Sequence, residues 1–180
     1  MKALIKRIII VFLVLSWLII IFCFSDSIAS VSGPQSRVVF EKGLKYSFKV
    51  LNKLNLMSRT FTDKQVRELS IRYLTLFRKM CHLLIYLVLG VFVAAAFKNF
   101  TKLNFPLIIV FTIISCFIYS LTDEYHQTFV LGRGGSIVDC LIDTSGSLIG
   151  SFIYTGLHLT KEKFKAKIKA KKQLKLQKQE

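Results

Sequence analysis

Acid and proline are scarce in this sequence. Its 180 residues include two prolines and ten Asp and Glu against twenty-six Lys and Arg, for a net charge of +16. So few prolines, with 53% hydrophobic residues and a mean hydropathy of +0.52, exclude both a disordered chain and an ordinary soluble domain. Charge is missing altogether from residues 8–24 and from residues 107–121. No Ser or Cys is set beside a base in a recognisable nucleophile motif. No His, Cys and carboxylate spacing matches a standard metal pattern, so neither a metal nor a cofactor is implied. Internal repeats are absent.

What the chain has instead is apolar length. Residues 80–97 carry only His82, Cys81 and Tyr86 as ionisable groups, and residues 137–159 carry Asp139 and Asp143 near their start. A helix needs roughly 20 mostly apolar residues to cross the hydrocarbon core. Backbone groups in lipid must pair within their own segment, so all four runs read as helices. A basic chain suggests nucleic acid or anionic lipid as partner. Runs this long and pure decide for membrane lipids and against nucleic acid. The first run follows Lys2, Lys6 and Arg7, and Ser27-Ile28-Ala29 resembles a cleavage site, but its apolar stretch is too long for a signal peptide. An uncleaved anchor is expected. Cys23, Cys81, Cys116 and Cys140 read as small buried side chains. A bridge between Cys81 and Cys140 is conceivable, since both stand near the start of their helices.

The fold class expected is all-α: a four-transmembrane-helix bundle with an amphipathic helical outer loop and a basic C-terminal tail. Residues 1–159 form the transmembrane domain, and residues 160–180 a solvated, lysine-rich cytoplasmic tail. Basic residues tend to remain cytoplasmic. With the N-terminus inside, fourteen Lys and Arg lie inside and twelve outside. The margin is narrow, but the short segments favour both termini in the cytoplasm. In the long loop, Val39, Phe40, Leu44, Phe48, Leu51 and Leu54 recur every three or four residues among lysines. That pattern predicts an amphipathic helix on the membrane surface. Thr62 and Gln65 have capping-box spacing for the next helix.

This connectivity brings the start of the second span, the end of the third and the start of the fourth to one membrane face. Lys79, His82, Tyr86, Asp123, Glu124, His126, Gln127, Arg133, Asp139 and Asp143 therefore converge as a candidate polar pocket. His82 and Tyr86 share a helix face, as do Asp139 and Asp143. Gly146 and Gly150 continue that second stripe as a small-residue contact surface. A charged Asp at mid-helix costs at least about 2.5 kcal/mol, so Asp143 needs a partner, with Arg133, Arg78 and Lys79 as candidates.

The stretch "RKMCHLLIYLVLG", with Lys79-x-x-His82-x-x-x-Tyr86, and "TDEYHQTFVLGR", with Asp123, Glu124, His126, Gln127 and Arg133, resemble the VanZ-like family. Asp139, Gly146 and Gly150 follow in order, and "FCFSDSIAS" resembles the family's Phe-Ser segment. The resemblance covers about residues 8–156. Leu131 stands where the family has Pro, Asp143 where Asn is usual, and Ile85 where Glu is common. The resemblance implies a cell-envelope role connected with susceptibility to glycopeptide antibiotics, teicoplanin in particular. Two functions follow as expectations. In the first, the pocket binds an envelope lipid, a cell-wall precursor or a glycopeptide. In the second, the protein is a membrane-embedded acid/base enzyme. Asp123, Glu124 and His126 then handle protons while Arg133 holds a lipid-linked phosphate or diphosphate. The sequence leaves the oligomeric state open.

Overall fold

A computed structural model describes residues 1–30, 34–56, 61–129 and 135–177. These residues form five helices and no strand: α1 (Lys2–Ser30), α2 (Pro34–Lys53), α3 (Asp63–Phe100), α4 (Phe105–Gln127) and α5 (Ile137–Gln177). All but α2 are long and apolar enough to cross a membrane. The all-α, four-span expectation therefore holds, with α2 as the loop helix.

Local chemistry sets the helix ends. At the start of α3 the Thr62 and Gln65 pair forms the capping box that the spacing predicts. Asn104 caps α4 by accepting from the Leu107 amide at 3.1 Å, with Pro106 in the first turn where no amide donor is needed. Past the end of α2, the Leu56 amide donates to Leu51 at 3.0 Å and the Asn55 amide to Asn52 at 3.1 Å. Asn55 takes the left-handed conformation, φ 54°, that this double-bonded helix stop requires.

The helix α3 is the hub, packed against α5, α1, α2 and α4. It runs parallel to α5, and glycine sets how closely the two approach. A Cβ at Gly146 would strike the Leu83 carbonyl, and one at Gly150 the Leu87 carbonyl. From the other side, a Cβ at Gly90 would lie 2.6 Å from the Ser147 Cα. Many buried side chains of the spans are accordingly small or polar, including Thr112, Cys116, Ser120, Ser147 and Ser151. Large apolar groups such as Phe12, Ile114, Ile118 and Phe152 point outward. Such a distribution suits lipid, where helix association comes from close packing and hydrogen bonds rather than from expelling water. One aromatic-aliphatic cluster, with Ile21, Tyr86, Leu89 and Cys116 at its centre, ties α1, α3 and α4 together.

Two features differ from the sequence reading. The loop helix forms, but most of its apolar stripe is turned to protein, with Val39 and Leu54 left exposed. Phe40, Leu44, Phe48 and Leu51 are half-buried. Phe40 stacks on Phe77 at 4.6 Å, Phe48 stacks on Phe61 at 4.2 Å, and the Ser70 hydroxyl donates to Glu41 at 3.1 Å. The 38-residue α3 is about 57 Å long at 1.5 Å per residue, nearly twice a ~30 Å hydrocarbon core. Its first turns therefore extend past the span and offer α2 a surface. Lys45 and Asp63 pair at 2.6 Å across the same contact, and this bond holds the Lys45 ammonium above its usual pKa. The basic tail, for its part, continues α5 without a break to residue 177. Residues 160–177 contain neither Gly nor Pro and are rich in good helix formers. All four cysteines are free thiols, so Cys81 and Cys140 are not bridged.

Candidate functional site

The end of the bundle where α1 and α4 finish and α5 begins carries a cluster of buried polar side chains. Asp143, two turns into α5, is 1% exposed. Its Oδ2 accepts from the Ser120 hydroxyl of α4 at 2.8 Å. Its Oδ1 lies 3.5 Å from His82 Nδ1 of α3, an ion-pair distance. One turn deeper on α3, Tyr86 is fully buried, with Ser120, Asp123 and Asp143 around its phenol.

A second group lies between α4 and α1. Gln127 Nε2 donates to Asp123 Oδ2 at 3.1 Å and to the Ser25 hydroxyl at 2.6 Å. All three residues are buried. Asp123 Oδ1 is enclosed and meets no hydrogen-bond donor among the described residues. Glu124, also buried, accepts from the Ser136 backbone amide at 2.7 Å. A carboxylate at that place sits on the positive end of the α5 dipole. Gly135 lies close to the end of α4: a Cβ there would lie 3.1 Å from Thr128 Cγ2 and 3.3 Å from the Glu124 backbone carbonyl oxygen.

At the rim, Lys79 pairs with Asp139 at 2.9 Å, both about one-third exposed. His126 does not join the cluster. Its ring lies on Phe22 of α1, with centroids 4.6 Å apart. Leu131, Gly132, Arg133 and Gly134 lie outside the described residues. Of the sequence candidates, His82, Tyr86, Asp123, Glu124, Gln127 and Asp143 thus come together in the interior. The sequence reading missed Ser25, which accepts from Gln127, and Ser120 and Ser136, which donate to Asp143 and Glu124. Serines are common on buried helix faces and carry little signal alone. Yet Ser120, Asp123 and Gln127 at i, i+3 and i+7 share one face of α4, and that spacing was readable. Among the described residues no three His, Cys, Asp or Glu are grouped to hold a metal ion.

The surroundings tie the cluster to the bundle. Trp17 Nε1 donates to the Ile85 carbonyl at 3.0 Å, and the Tyr119 hydroxyl donates to the Leu18 carbonyl at 2.6 Å. These bonds fix α1 against α3 and α4 just below the polar residues. Among the described residues, three buried carboxylates, Asp123, Glu124 and Asp143, gather near one buried imidazole and a few neutral donors. Such a site is rich in acceptors and suits a ligand that brings donors or positive charge.

A small helical membrane protein with a buried polar cluster at one end is the class that fold and site define. The chain belongs to the VanZ/LLP1 family, whose model matches residues 10–159. No curated protein and no solved structure matches it.

Proposed function

We propose that the polar cluster binds the polar end of an envelope amphiphile, a membrane lipid, a lipid-linked cell-wall precursor or a lipid-bearing glycopeptide. Through that binding the protein alters the envelope's susceptibility to glycopeptides such as teicoplanin. The observation that carries this reading is the enclosed Asp123 Oδ1, a buried acceptor that forms no hydrogen bond among the described residues and stands beside the buried Asp143 and Glu124. Leaving such a group unsatisfied is costly in lipid, so it marks a place for a ligand. The matched donor chemistry is an amine or a set of hydroxyls. The surrounding lipid keeps the ligand's apolar part in its own solvent.

The test uses cells expressing equal amounts of the wild type, Asp123→Asn and Glu124→Gln. The wild type should raise the inhibitory concentration of teicoplanin over that of empty vector. Asp123→Asn should weaken retention of co-purified lipid by about ten- to a hundredfold, as expected for a charge-assisted hydrogen bond of ~1.5–3 kcal/mol, and abolish protection. Full protection in both variants would remove the cluster from the function.

The enzyme reading is favoured by one observation, the His82–Asp143 pair, which has the form of a carboxylate-oriented acid/base imidazole. It requires turnover. Conversion of a lipid-linked diphosphate by the purified wild type, absent in His82→Gln with lipid retention intact, would establish it over simple binding.

A further inference from the structure

At the opposite end of the bundle, α1 and α3 leave an apolar groove of about 240 Å³ lined by Val11, Val14, Leu15, Ala96 and Phe100. Val11, Leu15 and Phe100 are exposed, so the groove opens to the surroundings. Its α1 wall is one stripe: residues 7, 11, 14 and 15 follow the i, i+4, i+7, i+8 rule and share a helix face. The first member of that stripe is Arg7. Its Nε donates to the Asn99 carbonyl of α3 at 3.1 Å, and its guanidinium carbon lies 5.6 Å from the centroid of Phe100. Phe100 therefore both walls the groove and carries the cation at its mouth.

We propose that this groove is a binding site for an anionic phospholipid. One acyl chain lies along Val11, Val14, Leu15 and Ala96, and the headgroup phosphate meets Arg7. The Asn99 bond uses one of the five N–H donors of the guanidinium and holds the fork in place. A planar fork fixed at the end of an apolar channel takes phosphate bidentately, which a free surface lysine does not. The wider charge at this end agrees. Lys6 precedes Arg7 in α1, and Lys98, one residue before Asn99 in α3, places its Nζ 4.5 Å from the Phe105 ring centroid. Glu162, the acidic side chain near Lys98, is bonded to Lys165 at 3.1 Å. An anionic lipid thus finds surplus positive charge beside an apolar groove that takes part of one acyl chain, a pairing that ordinary annular contact does not require. This site is separate from the polar cluster and does not depend on its function.

The test is native mass spectrometry of the full chain, purified in mild detergent and offered equal amounts of phosphatidylglycerol and phosphatidylcholine. One phosphatidylglycerol should be retained in preference to phosphatidylcholine. Arg7→Gln should lower that retention about fivefold, the usual worth of one basic residue at a lipid surface. Ala96→Phe fills the groove without changing charge and should lower retention equally, while Lys171→Gln in the distal tail should not. Helicity and monodispersity confirm folding. If Arg7→Gln does not fold, Ala96→Phe alone decides. Equal retention of the two lipids, undiminished retention in Ala96→Phe, or a dimer that fills the groove in place of lipid would overturn the proposal.

Discussion

At the scale of single residues, Asp143 shows how the chain tolerates a carboxylate inside its helices. A lone charged Asp at a helix centre costs about 2.5–3.5 kcal/mol on insertion scales. Here one oxygen accepts from Ser120 of α4 and the other lies at ion-pair distance from His82 of α3. Ser120→Ala should therefore destabilise the protein by about 1–2 kcal/mol, read as a lower unfolding temperature in detergent. Asp143→Asn keeps the size and an oxygen for Ser120, and should change that temperature little. A greater loss in Asp143→Asn than in Ser120→Ala would mean that the charge itself holds the helices. His82 and Asp143 were legible as candidates because each is a rare residue type inside an apolar run. Ser25 was not legible, since its role depends on a Gln127 side chain 102 positions away. His126 was equally prominent in the sequence, yet the rotation of α4 turns it onto Phe22.

At the scale of elements, the parallel pairing of α3 and α5 rests on glycine. Gly146→Leu should force the helices apart at Leu83 and cost about 1–3 kcal/mol, with loss of the His82–Asp143 contact. Gly156→Ala, on the same helix, makes the opposite prediction. Nothing lies within 4 Å of a Cβ there, so better helix propensity should stabilise by up to about 1 kcal/mol. Thermal unfolding of the two variants side by side checks both, and similar losses in each would show that helix propensity rather than close approach governs α5. The G-x-x-x-G spacing announced a close contact but not its partner. The amphipathic pattern of α2 announced a helix, and its apolar face fitted either lipid or protein. The capping box belongs to the other kind of information. It is made within four residues, and it formed as the spacing said.

At the scale of the whole molecule, four spans joined by three connections put the polar cluster at one face and the Arg7–Phe100 groove at the other. The sequence expectation assigns the polar face to the outside and both termini to the cytoplasm. Single cysteines at Thr128 and Phe100 in a cysteine-free background test this with an impermeant maleimide on intact cells. Thr128→Cys should label and Phe100→Cys should not; the reverse pattern would invert the protein. The two long helices extend beyond the bilayer in opposite senses. α3 projects at the polar end, where it meets α2, and α5 at the basic end.

Read by itself, the sequence determined which segments are helices, which of them are apolar enough to span, and which ionisable groups share a face. Those properties are local: they depend on runs of about 20 residues and on a 3.6-residue period. Only the tertiary structure decided that Ser120 and His82 divide the oxygens of Asp143, that α2 docks on α3, and that Arg7 caps an apolar groove. Each of these depends on how far a helix is rotated and slid against its neighbour. Between α3 and α5 that rotation is set by close packing at Gly90, Gly146 and Gly150, against residues far apart in the chain.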